Sequence, residues 1–306
     1  MGGTAPGKLL GISGLLILLT ALPGRAAAQA PPGWAGASGE DPSGNWTPRF
    51  DEDWEERIPG PEIGDYLGLP INAAARLRGD AWDAALIELQ HNQCRQHASD
   101  YGWRGPSNLS IWQEVDRATQ RVIAYHTHLS AYGAEQTIWM DGRPHPSKNA
   151  PHDQTGFTTG VWNGNELIAT TTHLKTGYMR RNGAASSDQA TITTHFRRHG
   201  DMLTLTLIME DPVYLTEPYI LTRSYNLSTN PVAIGGPPCI VGDEGVESGR
   251  VPHYLPGKNP FLDETMKRYG IPPEAALGGA ETMYPEYREK IKAKFKRPEK
   301  CTINCG

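Results

Sequence analysis

Four histidines carry the chemistry this chain could do. On residues 121–129 (RVIAYHTHL), Val122, Ala124, His126 and His128 share one face of a strand, because side chains alternate along an extended backbone. The H-x-H spacing sets two imidazoles side by side. His173 ends another strand on the face of Leu167, Ala169 and Thr171, and His195 shares a face with Thr191, Thr193 and Arg197. If these faces all look into one barrel, three or four histidines converge. Neutral imidazoles there would hold zinc or another divalent metal, with His126, His128 and His173 as ligands and a position left open for substrate. Without a metal, the same imidazoles beside Asp211 form a proton-transfer set. The structural alternative is that histidines in Thr-rich strands face solvent and bond hydroxyls and carboxylates. No HExxH or similar spacing decides between them.

Two polar loops add candidate ligand contacts. In residues 177–188 (GYMRRNGAASSD), Tyr178, Arg180, Arg181 and Asn182 stand at a turn that would present two guanidiniums, whose forks suit carboxylate, phosphate or phenolate. In residues 211–219 (DPVYLTEPY), Asp211, Tyr214 and Glu217 are candidates, although two X-Pro steps also suit a rigid strand connection. There is no G-x-S-x-G elbow, P-loop or dinucleotide fingerprint, so serine hydrolysis, nucleotide use and NAD chemistry have no support. The reading is acid–base chemistry of the lyase or isomerase type on a small apolar or aromatic molecule. The alternatives are a carrier that holds a hydrophobic ligand without turnover, and an envelope-associated structural protein.

The elements that must position these residues are strands. Residues 155–227 contain runs of Val, Ile, Thr, Tyr and Phe separated by turn residues, among them Asn163-Gly164-Asn165 and His199-Gly200-Asp201. Eight strands are expected: 111–116, 121–129, 135–140, 157–162, 166–174, 190–198, 202–210 and 219–227. Residues 143–154 (RPHPSKNAPHDQ) form a long loop with two histidines. The predicted fold is mainly β, an antiparallel up-and-down, lipocalin-like barrel of about eight strands with a few peripheral helices; an open sandwich is the second choice. A helix opens after Asn72 as N-cap and runs to about His91, with Leu77, Ala81, Trp82, Ala85, Leu86 and Leu89 on its apolar face. A second starts at Asn259-Pro260 and stops at Gly270.

The expected organisation is a signal peptide over 1–30, a Pro/Gly/Trp-rich leader over 31–64, a helical brace over 65–106, the barrel over 107–230 and an irregular extension over 231–306. The extension includes the loop VPHYLPG (251–257) and a basic tail. The signal rests on Lys8, the apolar run Leu9 to Leu22, and small residues at Ala26-Ala27-Ala28 or Ala28-Gln29-Ala30; the run is short for a membrane span. A periplasmic or extracellular protein follows, with no later transmembrane segment. In that compartment the four cysteines suggest two disulfides, Cys301 with Cys305 and Cys94 with Cys239. A net charge of −5 gives no reason to expect nucleic acid as a partner.

The stretches Asp141-Gly142-Arg143-Pro144-His145-Pro146, residues 156–164 (GFTTGVWNG), residues 166–172 (ELIATTT) and Asp211-Pro212 resemble a family of secreted bacterial β-rich proteins. The resemblance spans roughly residues 65–285. It implies a secreted β-domain and brings no established activity. Its Trp and His positions, with Trp139 and Trp162 among them, are the further candidates for contact with a ligand.

Overall fold

The computed structural model describes residues 1–3, 41–49, 61–89, 92–94, 99–103, 107–130, 134–180, 182–229, 240–242 and 249–295. The signal segment, Arg181, Cys239, Cys301 and Cys305 lie outside these residues, as do Trp34 and Trp54. Cys94 carries no free thiol.

All eight expected strands form. They are β2 (Leu109–Val115), β3 (Val122–Leu129), β4 (Ala134–Trp139), β5 (Phe157–Asn163), β6 (Glu166–Thr172), β9 (Thr191–His199), β10 (Met202–Glu210) and β11 (Tyr219–Leu227). A ninth, β1 (Gly44–Pro48), comes from the leader. It closes the barrel by pairing with both β2 and β11, giving the order β1-β11-β10-β9-β6-β5-β4-β3-β2. Between β6 and β9 a separate hairpin of β7 (Gly177–Tyr178) and β8 (Ala185–Ser186) is inserted.

A ring with an odd number of strands cannot alternate in direction all the way round, so one neighbouring pair must be parallel. That pair is β4 and β5, joined through Ile138↔Thr158 and Trp139↔Thr159. The long loop after β4 exists because a parallel step needs a crossover and not a tight turn. The seam is close. A Cβ on Gly160 would come within 2.6 Å of Met140 Sδ and 2.7 Å of Ile138 Cγ2.

Alternation sorts the faces. Leu203, Leu205, Leu207 and Met209 of β10 point inward and are buried, as are Leu167 and Ala169 of β6 and Ile192 and Phe196 of β9. Trp46, Tyr125, Trp162 and Tyr225 join them, and Trp103, just after α2 (Ser99–Gly102), packs edge-on against Phe196 at 6.3 Å. The lumen is thus packed with aromatic and aliphatic side chains. Arg198 crosses the closing seam: its guanidinium lies 5.2 Å from the Trp46 ring and donates to the carbonyls of Asp41 and Ser43.

The N-terminal helix is shorter than its spacing suggests. It is α1 (Ala73–Asp80), with the Asn72 side chain accepting from the Ala75 amide at 3.1 Å, and it gives way to a separate 3-10 turn over Ala84–Glu88. Gly79 sits where α1 presses on Tyr66; an added Cβ would meet the Tyr66 hydroxyl at 2.6 Å. In the extension, α3 (Glu264–Tyr269) ends at Gly270 in the left-handed region, φ 67°. Two further short helices follow, α4 (Pro273–Ala276) and α5 (Pro285–Ile291). Among the described residues no helix is long and apolar enough to cross a membrane.

Candidate functional site

The four histidines do not converge in the lumen. On β3 the inward row is Tyr125, Thr127 and Leu129, so His126 and His128 look outward. His126 lies against Trp112, rings 5.4 Å apart and 19° from parallel, with Nε2 2.9 Å from Glu114 and Nδ1 3.2 Å from the Thr137 hydroxyl. His128 is buried, its Nδ1 2.9 Å from Glu135. His195, outward on β9, sits 3.2 Å from Glu166, which also faces Arg197 at 3.5 Å. Each of these three imidazoles thus has a carboxylate of its own.

His173 departs from strand parity. It stands at φ 60°, one residue beyond the end of β6, so the alternation that would turn it inward stops at Thr172. The three imidazoles expected as metal ligands, His126, His128 and His173, are not brought together. Among the described residues no group of three or more His, Cys, Asp or Glu side chains is placed to hold a metal ion.

His173 instead meets the two histidines of the long loop. Thr172 Oγ1 lies 2.7 Å from His173 Nδ1 and 2.8 Å from His145 Nδ1; His145 Nε2 is 2.8 Å from Thr159 Oγ1. His173 Nε2 is 2.9 Å from the Ser147 carbonyl, which can only accept, so that nitrogen bears the proton. In neutral His173 the Nδ1 then accepts from Thr172. The Thr172 oxygen in turn accepts from His145 Nδ1–H, and His145 Nε2 accepts from Thr159. Burial pushes the His145 pKa below its ordinary value, and the neighbouring His173 pushes it the same way. His152 completes the group, 5.1 Å from His173 ring to ring, with Nδ1 2.9 Å from the Leu174 carbonyl. The ends of this chain are a hydroxyl and a backbone carbonyl, and what it does in the fold is fasten the 143–153 loop to the barrel wall.

The loop residues expected to hold a ligand divide. Arg180 is fully buried, donating to the Tyr219 hydroxyl at 2.7 Å and to the Met179 carbonyl, so it is not presented at a turn. Asn182 is buried too; its side chain donates to the Asp65 carbonyl and accepts from the Ala184 amide. Asp211 is 3% exposed, and its oxygens take the amide and hydroxyl of Ser187, both at 2.7 Å, and the amides of Val213 and Tyr214. Four donors on one buried carboxylate tie β10 to the 187 and 213 turns. Trp162 is buried in the lumen, edge-on to Tyr125. Trp139 lies on the outer face under Arg143, whose guanidinium carbon is 3.5 Å from the ring centre and whose nitrogens bond Asp141.

Tyr178 and Tyr214 lead to an open cleft beside the barrel. It has a volume of about 600 Å³ and lies between α1, the turn after it, the β7–β8 hairpin and the 252–256 loop. Its lining includes Leu77, Arg78, Trp82, Asp83, Tyr178 and His253. Trp82 meets Tyr178 edge-to-face at 4.8 Å. Gly183, φ 85°, lets the hairpin close on Trp82, since a Cβ there would sit 2.5 Å from the Trp82 Cβ. Arg78 donates to the Tyr214 hydroxyl at 2.9 Å, and Asp83 is paired with Arg250.

Arg78, Trp82 and His253 were not among the residues expected to do chemistry. The helical spacing of Leu77, Ala81 and Trp82 reads as a core face, but Leu77 is 52% exposed and that face opens on the cleft. The signal for the other wall was the aromatic and His character of VPHYLPG. No family model, curated protein or solved structure matches this chain.

Proposed function

We propose that the protein is a small-molecule enzyme that works by proton transfer in the cleft beside the barrel. The observation that carries this reading is the combination of a cleft of about 600 Å³, a size typical of small-ligand sites, with aromatic walls and an imidazole, a phenol and a guanidinium on its surface. His253 takes a proton from a carbon next to a carbonyl or similar group. The Tyr178 hydroxyl holds the oxygen on which negative charge develops, and Arg78 fixes the substrate from another side. Return of the proton to another carbon gives an isomerase; departure of a neighbouring leaving group gives a lyase.

The test is proton exchange. Apolar and aromatic carbonyl compounds are incubated with the protein in deuterated water and followed by NMR. Deuterium incorporation into one class is expected, falling about 10²–10⁴-fold in His253→Ala with binding retained. Ligand capture without exchange would sink the enzyme and leave a carrier that uses the cleft in place of the packed lumen.

The same reading takes the protein to be secreted and related to the β-rich bacterial family its motifs resemble. The apolar segment 9–22 and the four cysteines support secretion. Intact mass of the exported chain is expected to place the new N-terminus near Gln29 or Pro31, and peptide mapping to find Cys94 joined to Cys239.

A further inference from the structure

The chemistry of the cleft's ligand can be read from which charges on its walls are already neutralised. Asp83 is paired with Arg250. Arg78 is different: its partner is the neutral Tyr214 hydroxyl, with the Tyr214 ring 5.8 Å away, and among the described residues its charge meets no carboxylate. Its guanidinium lies on the same surface as apolar Leu77 and the Trp82–Tyr178 pair. A positive fork beside aromatic walls suits a molecule with a planar ring at one end and a carboxylate at the other. The ring gains area burial and edge contacts with the aromatics, and the carboxylate gains a paired, bidentate partner.

We infer that the cleft binds a flat aromatic carboxylate, its ring against Trp82 and Tyr178 and its carboxylate on Arg78. This rests on the reading of the cleft as the ligand site and adds the class of molecule. Arg78 is exposed on α1, so its replacement leaves the barrel and the helix cap in place.

The experiment is calorimetric titration of the full exported chain at pH 7 and low salt with three probes: 2-naphthoate, its neutral analogue 2-naphthamide, and decanoate. The expected result is naphthoate binding at least tenfold tighter than either of the others. Arg78→Ala is expected to abolish the preference over naphthamide while naphthamide binding stays unchanged, and Arg78→Lys to keep part of it. Trp82→Leu, checked for folding by circular dichroism, is expected to weaken both naphthyl probes together. Equal affinity for naphthoate and naphthamide, or a preference that survives Arg78→Ala, would overturn the inference and leave the cleft a ligand site of another class. Decanoate binding as tightly as naphthoate would overturn the aromatic half. Failure of all three probes to bind would bring down the inference together with the cleft reading beneath it.

Discussion

At the scale of single residues, the buried polar groups divide into those that hold the fold and those left to meet a ligand. Asp211 belongs to the first kind. With four donors on a carboxylate 3% exposed, its removal strands the Ser187, Val213 and Tyr214 groups it satisfies. Asp211→Ala is expected to cost about 3 kcal/mol of stability, since buried hydrogen bonds to a charged group contribute about 1.5–3 kcal/mol each and are not additive. Chemical denaturation measures this. Asp211→Asn is expected to recover part of the loss, because one amide oxygen can keep two of the donors. A loss of activity larger than the loss of folded protein would mean that Asp211 also acts on substrate.

At the scale of elements, the 143–153 loop is held by imidazoles, so its attachment depends on pH. His145 accepts from Thr159 as a neutral ring, and burial keeps its pKa below the ordinary 6.5, with His173 acting in the same direction. The released loop would bind its proton at the ordinary value. Protonation therefore favours release: the attachment is at full strength above about pH 6.5 and weakens as the pH falls below it. The other charged groups on these segments are Arg143, paired with Asp141; Asp153, whose carboxylate accepts from the Thr155 and Gly156 amides; and Lys148 and Lys175. The protection of the Asp153 and Lys175 amides, which bond across this contact, measured as hydrogen exchange relative to the base-catalysed intrinsic rate at each pH, is expected to fall several-fold between pH 7.5 and 5. His145→Gln is expected to flatten that dependence. A protection factor unchanged by pH in the unmodified protein would show that the loop is held by its backbone bonds alone.

At the scale of the whole molecule, a five-residue strand from the leader decides whether the barrel is closed. Trp46 of β1 is fully buried, donates from its indole to the Pro42 carbonyl and lies under Arg198. Without β1, the β2 and β11 edges each lose a partner and the lumen loses one of its tryptophans. Trp46→Ala is expected to cost about 3–5 kcal/mol. Arg198→Ala removes hydrogen bonds to the Gly200, Asp41 and Ser43 carbonyls and the cation–π contact with Trp46, and is expected to cost about 1–3 kcal/mol. Guanidinium unfolding followed by tryptophan fluorescence measures both. A Trp46→Ala variant as stable as the parent would mean that closure contributes little and that the barrel stands on eight strands.

The chain by itself determined its strands. β-branched runs with period-two alternation, punctuated by Gly and Asn, mark β2 to β6 and β9 to β11, because those preferences are local and act within a few residues. It also determined the Asn72 cap and the Gly270 stop. Only the tertiary structure decided what the strands enclose. Alternation says that His126 and His128 share a face but not which side that face is on, and the choice falls to the opposite row, Tyr125, Thr127 and Leu129, which fills the lumen. A single left-handed residue, His173, took its side chain out of the parity of β6. The parallel β4–β5 seam follows from ring closure with nine strands, and the ninth is a short run in a Pro- and Gly-rich leader whose pairing is wholly non-local. The cleft is a product of the same kind. Arg78, Trp82, Tyr178 and His253 are far apart in sequence, and no periodicity within one element records that they meet.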